Sequence, residues 1–350
     1  MIGTGGPKRF ICVIRIHGVP PLNGWIPHPT PVTMIRSFLA CTCFAVLACV
    51  QGQSISPSVI GDGGASTVLP GGQVVSWTVS ETVTEATYVN GGWVTPGFHQ
   101  SQPQTVAVFP KVFLEGPFVS GSGDMSDGLR TAGLIPLISP YISGPQFPQM
   151  NSGGEFIAPS VLATTGNNAI VDWVHVQLRN GANSSQIQYT RSGLLQRDGD
   201  IVEVDGINQL TFIAPGANYY VAILHRNHLA VMSANTINLG PLGVPMNFTS
   251  PVLATYGTSA QKTIGPVLAL WAGDVSGDGT IKYTGSSNDR DPILVTVGST
   301  TPNNTIAGYS SRDVNMNGVV KYTGTGNDRD PILVNVGSTT PNNTRVRQLP

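Results

Sequence analysis

The sequence predicts a mainly β protein, and three features lead to that prediction. Charged residues make up only 11% of the 350 residues, while glycine (42) and proline (27) are abundant, a mixture that favours short strands and tight turns over long helices. Strand-like segments recur at regular spacing between Gly, Pro and Asn turns, which is typical of a β-sandwich, here of Ig-like or prealbumin-like type. A small pair of loop–helix repeats follows at the C-terminal end.

Net charge and cysteine placement exclude several classes of protein. A formal net charge of -1 without any Lys/Arg cluster gives no field to attract nucleic acid or an anionic membrane. All four cysteines lie before residue 50, so a disulfide framework for the main body is excluded.

Residues 34–53 are expected to be a signal peptide rather than part of the fold. Arg36 provides a short positive region, and Ser37–Val50 is an apolar core too short for a comfortable bilayer span. We therefore expect secretion, with no transmembrane segment in the mature chain. The segment Val46–Cys49 also resembles a bacterial lipobox, which would make Cys49 a lipidated N-terminus on the cell surface. A cleaved signal with an incidental cysteine is the alternative that we favour.

Residues 1–33 fit neither a signal nor a domain, since they carry prolines, basic residues and no clear period. We expect that translation begins at Met34 and that the upstream segment is an extension assigned in error.

Two β-rich segments follow the signal. Residues 54–104 are expected to form a small β module, because Val75, Trp77 and Val79 alternate with polar residues as in a half-buried strand. Residues 105–245 predict the sandwich module, with a hairpin about Asp198–Asp200 and two further strands around the Ala214–Asn218 turn.

One short helix and one connection complete the body. The segment Ser126–Pro136 predicts a helix with Ser126 as N-cap and Gly133 as its end. Residues 246–270 are expected to be connecting strands that lead into the tail.

The tail, residues 271–350, contains two repeats that align without gaps at an offset of 39 residues. "DVSGDGTIKYTGSSNDRDPIL" begins at Asp274 and "DVNMNGVVKYTGTGNDRDPIL" begins at Asp313, and "GSTTPNNT" recurs at 298–305 and 337–344. Each unit is a loop followed by a short apolar helix that cannot bury its face alone, so we expect the pair to pack together.

Both loops begin with the pattern of an EF-hand calcium loop. Calcium takes six to eight oxygens, so the side chains at positions 1, 3 and 5 must point inward, position 6 must turn sharply, and position 7 offers its backbone carbonyl. Positions 1, 3, 5 and 7 are Asp274, Ser276, Asp278 and Thr280 in the first loop, and Asp313, Asn315, Asn317 and Val319 in the second; Gly279 and Gly318 occupy position 6. We therefore predict two Ca²⁺ sites.

The loops depart from the EF-hand spacing in how they close, because no acid stands at position 12. Asp289 and Asp328 are expected to close the sites as ligands. Asp291 and Asp330 immediately precede Pro292 and Pro331, a good pair for N-cap and first helical residue, so we expect them to cap the helices. The reverse assignment, in which Asp291 and Asp330 are the ligands, stays open.

These repeats resemble the duplicated loop–helix repeats of type I dockerins, with an insertion between "KYTG" and the closing acid. The resemblance covers roughly 70 of the 350 residues and implies docking onto a cohesin-like surface protein, in a glycan-degrading context. It places partner contacts on Tyr283, Thr284, Tyr322 and Thr323.

A second resemblance extends from about Ser54 to the C-terminus. Segments such as "SWTVSETV", "DWVHVQLR" and "YYVAILHRNHLAVMSA" are similar to uncharacterised secreted surface proteins of Bacteroidetes, some of them labelled haemagglutinin-like. That resemblance implies export and surface work, but it brings no catalytic residues.

Two other polar segments are candidates for chemistry. In "HRNH", His225 and His228 are three residues apart, which on a strand puts them on opposite faces, so a buried or turn-stabilising role is favoured over a chelate. The acids Asp198, Asp200, Glu203 and Asp205 fit an exposed hairpin turn, with a further calcium site as the alternative.

Three functions are compatible with these observations. The first is a secreted or surface-bound, non-enzymatic protein whose calcium-stabilised tail serves docking or adhesion to a surface protein or an extracellular glycan. The second is a glycan-active hydrolase targeted by that tail, an argument by analogy, since we find no catalytic residues or organic cofactor site. The third is a stalk segment that self-associates.

Overall fold

In a computed structural model of the chain, residues 61–68, 74–81, 87–89, 92–94, 104–142 and 144–350 are described. The predicted upstream extension, the signal peptide and Cys49 lie outside these residues. The chain divides into two compact units, Met1–Gln100 and Ser101–Pro350.

The described part of the first unit consists of antiparallel strand pairs. Strand β1 (Gly61–Val68) pairs with β2 (Val74–Glu81), and β3 (Thr87–Val89) pairs with β4 (Gly92–Val94). The alternating segment around Trp77 lies in β2, as the sequence predicts.

The second unit begins with a strand-rich body, which confirms a mainly β fold. Its strands are β5 (Thr105–Lys111), β6 (Phe118–Val119), β7 (Asp124–Met125), β8 (Ile170–Asn180), β9 (Asn183–Gln196), β10 (Ile201–Val202), β11 (Leu210–Ile213), β12 (Ala217–Leu224), β13 (Val231–Met232), β14 (Ile237–Leu239), β15 (Val244–Asn247), β16 (Lys262–Ile264) and β17 (Val267–Ala269). One sheet has the order β10-β9-β8-β12-β13 with β14 beside β12, and a second has the order β11-β5-β15.

The predicted turns of the body are confirmed with one difference. The turn at Asp198–Asp200 joins β9 to β10, which pair antiparallel. The turn at Ala214–Asn218 also separates two strands, but β11 pairs with β5 while β12 pairs with β8, so this turn carries the chain from one sheet to the other.

Strand β8 is the centre of the body. Ten of its eleven residues are buried, and because successive residues of a strand point to opposite faces, both faces of β8 are covered. Apolar residues of the two sheets, among them Val108, Leu178, Leu194 and Val221, belong to one core around the fully buried Trp173.

Helix is scarce in the body. Helix α1 (Gly128–Thr131) is accompanied by the 3₁₀ segments Pro159–Ala163 and Gly166–Asn168. The prediction that Ser126 caps α1 is wrong, because the helix follows Asp127, whose side chain pairs with Arg130 at 2.5 Å. Gly133 ends the turn with a φ of 68°, as expected.

The tail forms an interlocked pair of repeats. The first repeat contains β18 (Thr280–Lys282), α2 (Arg290–Val297) and β19 (Thr305–Ala307), and the second contains β20 (Val319–Lys321), α3 (Arg329–Val336) and β21 (Thr344–Val346). β18 pairs with β21 and β19 pairs with β20, so the strand of each loop is paired with the strand that ends the other repeat.

One apolar core unites the repeats with the body. Ile293 of α2 and Ile332 of α3 are fully buried in a cluster that also contains Leu229 of the body. Gly116 approaches so closely that an added Cβ would lie 2.1 Å from the carbonyl oxygen of Val314. The tail therefore packs tightly against the body within the second unit.

Candidate metal centre

In the first loop, two buried carboxylates face a common region. Asp274 is 4% exposed and Asp289 is fully buried. The Gly279 amide donates to Asp274 Oδ2 at 3.1 Å, and the amides of Ser276 and Lys282 donate to Asp289 Oδ1 and Oδ2 at 2.9 and 2.8 Å. The loop backbone therefore holds both side chains inward.

The second loop repeats this arrangement. Asp313 and Asp328 are fully buried. The Gly318 amide donates to Asp313 Oδ2 at 2.7 Å, and the Val314 amide donates to Asp328 Oδ1 at 2.8 Å. Gly279 and Gly318 have φ values of 84° and 90°, a left-handed conformation that lets the chain turn sharply after the fifth position of each loop.

Burial and like charge make these acids hard to ionise. Burial, with repulsion from Asp289 and then Asp278, raises the pKa of Asp274 to about 7. Burial raises the pKa of Asp289 to about 6 against the hydrogen bonds that it accepts. Burial also raises the pKa of Asp313, and burial with repulsion from Asp313 raises the pKa of Asp328 to about 7. Each loop is a place where a cation would be strongly stabilised.

Side-chain cations offset these charges only in part: Arg347 and Arg226 lower the pKa values of Asp274 and Asp313 but do not overcome burial. Within the described residues, none of the four acids forms a salt bridge, and Asp274 Oδ1 is buried without any hydrogen-bond partner. A buried carboxylate oxygen without a partner is costly, and a bound metal ion would remove that cost.

Asp, Glu, His and Cys side chains alone do not complete a metal site. Within residues 104–142 and 144–350, no three of them are grouped so as to hold a metal ion. Each loop thus offers two buried acids that interact electrostatically, and other oxygens must supply the remaining ligands. Calcium accepts hydroxyl, amide, backbone carbonyl and water oxygens, so the set fits calcium. The neutral candidates are Ser276, Thr280, Asn315, Asn317 and Val319, while Asp278 adds an exposed carboxylate.

The capping prediction for Asp291 and Asp330 is wrong. The helices begin at Arg290 and Arg329, one residue before these acids, and Asp289 and Asp328 occupy the N-cap positions without a side-chain cap bond. The side chains of Asn288 and Asn327 instead accept the first-turn amides of Asp291 and Asp330. Asn288 Oδ1 accepts the Asp291 amide at 2.9 Å and its Nδ2 donates to Asp291 Oδ2 at 2.7 Å. An asparagine just before a helix can stabilise it in this way because its side-chain oxygen reaches the free amides of the first turn.

Asp291 and Asp330 lie apart from the buried acids in their contacts. Their side chains are 53% and 54% exposed and pair with Arg290 and Arg329. The geometry therefore favours Asp289 and Asp328 as the acids that close the loops.

No protein-family model, curated protein or solved structure matches this chain. No helix among the described residues is long and apolar enough to cross a bilayer.

The residues expected to contact a partner make contacts within the tail. The Thr284 hydroxyl donates to Asn342 Oδ1 at 2.7 Å, and the Thr323 hydroxyl donates to Asn303 Oδ1 at 2.8 Å, each across to the other repeat. Tyr283 and Tyr322 are partly buried against the tail core and stack with Arg290 and Arg329. This reciprocity explains why "PNN" occurs in both repeats.

The segment His225–His228 is buried between the body and the tail. The expectation that its histidines lie on opposite faces of a strand is wrong, because β12 ends at Leu224 and the chain turns. His225 Nδ1 and His228 Nδ1 are 3.0 Å apart, and burial lowers the pKa of both residues. The expected buried role is confirmed.

Asp172 of β8 anchors this segment. Its Oδ2 accepts from Arg226 Nε at 3.0 Å and lies 3.1 Å from His225 Nε2, while Tyr309 of the tail donates to its Oδ1 at 2.7 Å. Burial opposes its ionisation, but Arg226 and His225 more than offset this and hold the pKa of Asp172 below its usual value. The sequence signal was a run of four polar residues between apolar strands in a chain that is poor in charge.

The acids of the 198–205 segment do not converge. Asp200 pairs with Lys111 at 2.8 Å and Glu203 pairs with Arg191 at 2.8 Å. Asp205 accepts the amides of Ile207 and Asn208 at 2.9 Å, an Asx turn. Ion pairs and turns account for these residues.

Proposed function

We propose that this chain is an exported, non-enzymatic calcium-binding protein: a β-sandwich body with a dockerin-like tail whose two loops bind one calcium ion each. The observation that carries the proposal is the pair of buried carboxylates in each loop, Asp274 with Asp289 and Asp313 with Asp328, none of which forms a salt bridge with a described residue. Two such pairs at an offset of 39 residues are hard to explain as turns alone.

The chemistry of the ligands favours calcium over transition metals. The side chains available at the two loops are carboxylate, hydroxyl and amide oxygens, without thiolate or imidazole. Oxygen-only sets suit hard cations, and loops that supply backbone carbonyls tolerate the variable geometry of calcium better than the strict octahedron of magnesium.

Calcium would stabilise the second unit through linkage. A ligand that binds the folded loops and not the unfolded chain adds its binding free energy to that of folding, about 2.7 kcal/mol for one site at a concentration 100 times its dissociation constant. Because the tail core includes Leu229 of the body, this stabilisation is expected to reach the body.

Thermal unfolding of the full chain in calcium and in excess chelator tests this proposal. We expect chelation to lower the melting temperature by about 5 to 10 °C per site. The variant Asp274→Ala/Asp313→Ala should respond weakly to calcium. The matched control Asp291→Ala/Asp330→Ala removes the same charge from exposed positions and should respond as the unsubstituted chain does. Equal melting temperatures with and without calcium in the unsubstituted chain would contradict the proposal.

The tail would serve attachment to a surface protein of cohesin-like type. Val295 and Val334, at equivalent positions of α2 and α3, are 66% and 53% exposed, so each helix presents an apolar side chain to solvent. Calcium-dependent binding to the producing cells should be lost in Val295→Lys/Val334→Lys. Binding that is unchanged in this variant or in chelator would contradict docking through the tail.

A groove in the body favours glycan association as a second candidate function. It has a volume of about 620 Å³ and is lined by Glu155, Phe156, Arg191 and Asp205, among others. Phe156 is 71% exposed, so its ring is free to stack on the apolar face of a sugar. Charged groups beside an exposed ring suit a ligand that is rich in hydroxyls.

The groove supports binding better than hydrolysis. A glycosidase needs two carboxyl groups across the bond, one with a raised pKa. The backbone amides of Ile207 and Asn208 and the side-chain amide of Asn208 donate to Asp205, outweigh its burial and lower its pKa, which does not suit a general acid. Soluble glycans should bind without release of reducing ends, and Phe156→Ala should weaken binding while Phe109→Ala, which alters an exposed ring outside this groove, should not. Release of reducing ends would instead support the hydrolase.

A further inference from the structure

Asn227 lies between the two loops and contacts the backbone of both. Its carbonyl oxygen accepts hydrogen bonds from the amides of Gly273 and Asp274 at 2.9 and 3.1 Å. Its side-chain Nδ2 donates to the carbonyl oxygens of Ser311 and Asp313 at 3.1 and 2.8 Å. One fully buried residue of the body thus bonds to the first acid of each loop.

The orientation of Asn227 is fixed by its neighbours. Its Oδ1 lies 2.8 Å from His228 Nδ1, while His228 Nε2 accepts the Gly116 amide at 3.1 Å. Arg226 is held by Asp172 and donates to the Ser310 carbonyl, three residues before Asp313, the first acid of the second loop. These bonds tie the segment to both loops, so the position of either loop acid acts on the position of Asn227.

Because both loops are bonded to Asn227, ordering one loop reduces the conformational entropy that is lost when the other loop is ordered. Fixing the backbone of a residue costs conformational entropy. When a first ligand has already ordered a shared element, the second ligand orders less and binds more tightly, without any change of overall structure.

We propose that Asn227 couples the two loops, so that calcium bound at one loop raises the affinity for calcium at the other. This inference rests on the proposed function, because it requires that both loops bind calcium. The two links differ in kind: the first loop is joined through the backbone of Asn227 and the second through its side chain. Truncation of the side chain therefore cuts only the link to the second loop.

A thermodynamic cycle on the full chain, measured by calorimetric titration with calcium, tests the coupling. Asp274→Asn/Asp289→Asn disables the first loop and leaves the second as it is. We expect the second loop then to bind calcium about 5-fold or more weakly than in the unsubstituted chain. In the Asn227→Ala background, disabling the first loop should leave the affinity of the second loop unchanged.

Asn335→Ala is the matched control. Asn335 is also a buried asparagine at the junction of tail and body, and its Nδ2 donates to Glu115 Oε2 at 2.6 Å and to the Ala272 carbonyl at 2.8 Å. It bonds to neither acid-bearing loop position, so Asn335→Ala should lose stability but keep the coupling.

A second measurement does not depend on the folding of Asn227→Ala. In Asp313→Asn/Asp328→Asn, where only the first loop can bind, calcium should slow amide hydrogen exchange at Val314 and Met316 about 5-fold. Unchanged exchange there would overturn the inference.

The outcomes separate this inference from the proposed function. If the unsubstituted chain binds no calcium, both fail. If it binds two ions and the affinity of the second loop is the same with the first loop disabled, only the coupling is overturned. If the coupling persists in Asn227→Ala, Asn227 is not the residue that carries it.

Discussion

The two loops share one backbone arrangement but differ in charge and in how many hydrogen bonds their own amides donate to their carboxylates. The first carries three acids, Asp274, Asp278 and Asp289, whereas the second carries Asp313 and Asp328 with asparagines at its third and fifth positions. At the fifth position, the amide of Asn317 in place of the Asp278 carboxylate lowers the negative charge without removing an oxygen, whereas at the third position Asn315 takes the place of the neutral Ser276.

The hydrogen bonds follow the same contrast. Both oxygens of Asp313 accept amides, from Asn317 at 3.1 Å and from Gly318 at 2.7 Å, whereas Asp274 keeps Oδ1 without a partner. Asn315 Oδ1 accepts the Asn317 amide at 3.1 Å, a bond that Ser276 does not make in the first loop. We therefore expect the first loop to depend more on a cation and to bind calcium more tightly, because calcium affinity rises with ligand charge.

The largest effects should come from removing the closing acids. Asp289→Asn leaves two acids in the first loop, whereas Asp328→Asn leaves only one in the second. The second loop should therefore lose more of its calcium affinity. We expect each change to lower the affinity of its own loop about 100-fold or more, with a stoichiometry of one ion per chain in calorimetric titration. Two ions bound by Asp328→Asn with unchanged affinities would contradict the assignment of this residue.

Exchanging the fifth positions should narrow the difference between the loops. Asp278→Asn lowers the charge of the first loop, and Asn317→Asp raises that of the second, at equivalent exposed positions. We expect the affinity of the first loop to fall and that of the second to rise, each about tenfold. Titration of the single and combined variants checks this expectation, and affinities that do not follow charge would remove the basis of the comparison.

The metal-free chain should be more stable at slightly acidic pH. Folding raises the pKa of Asp274 and Asp328 to about 7, so each contributes stability that is present when it is protonated and is lost as the pH rises through about 7. In chelator, the melting temperature should rise by about 5 °C from pH 8.5 to pH 6.5.

The pH range of this comparison stops at 6.5 because the buried histidines lower the stability of the chain at more acidic pH, opposite to the effect of the buried acids. Burial lowers the pKa of His175 to about 4 and also lowers the pKa values of His225 and His228, so their contribution is lost as the pH falls below the ordinary histidine pKa near 6.5. In Asp274→Asn/Asp328→Asn the rise between pH 8.5 and pH 6.5 should disappear. A rise of the same size in that variant would assign the effect to other groups.

The smallest effects should come from the bonds between repeats. Thr284→Val and Thr323→Val each remove a hydroxyl that bonds across to the other repeat, at matched positions. We expect each to cost about 1 kcal/mol, or a fall in melting temperature of about 2 to 4 °C, nearly equal for the two. Clearly different losses of stability in the two variants would show that the two bonds between repeats are not equivalent, although the backbones of the repeats are alike.

The sequence predicted what depends on local pattern. The first and closing acids of both loops are buried because turn glycines and fixed spacing dictate the loop conformation, and β8 and β9 follow from apolar strand segments between turns. These features need only residues that are close in the sequence.

The sequence did not predict what depends on tertiary packing. That β18 pairs with β21 rather than within its own repeat is decided by how the helices pack, and nothing in "GSTTPNNT" indicates which repeat it contacts. The role of Asn227 was missed for the same reason, because its partners lie 46 to 86 residues away. The prediction for the start of the helices failed for a local reason: the aspartate before Pro292 pointed to Asp291 as the cap, whereas the side chain of Asn288, three residues earlier, accepts the Asp291 amide.

Crystallography of the full chain grown with calcium, with anomalous scattering to locate the ions, tests the central claim most directly. The account predicts one calcium ion between Asp274 and Asp289 and a second between Asp313 and Asp328, each bound by oxygens only. Crystals with excess calcium in which both carboxylate pairs bind no ion would contradict it.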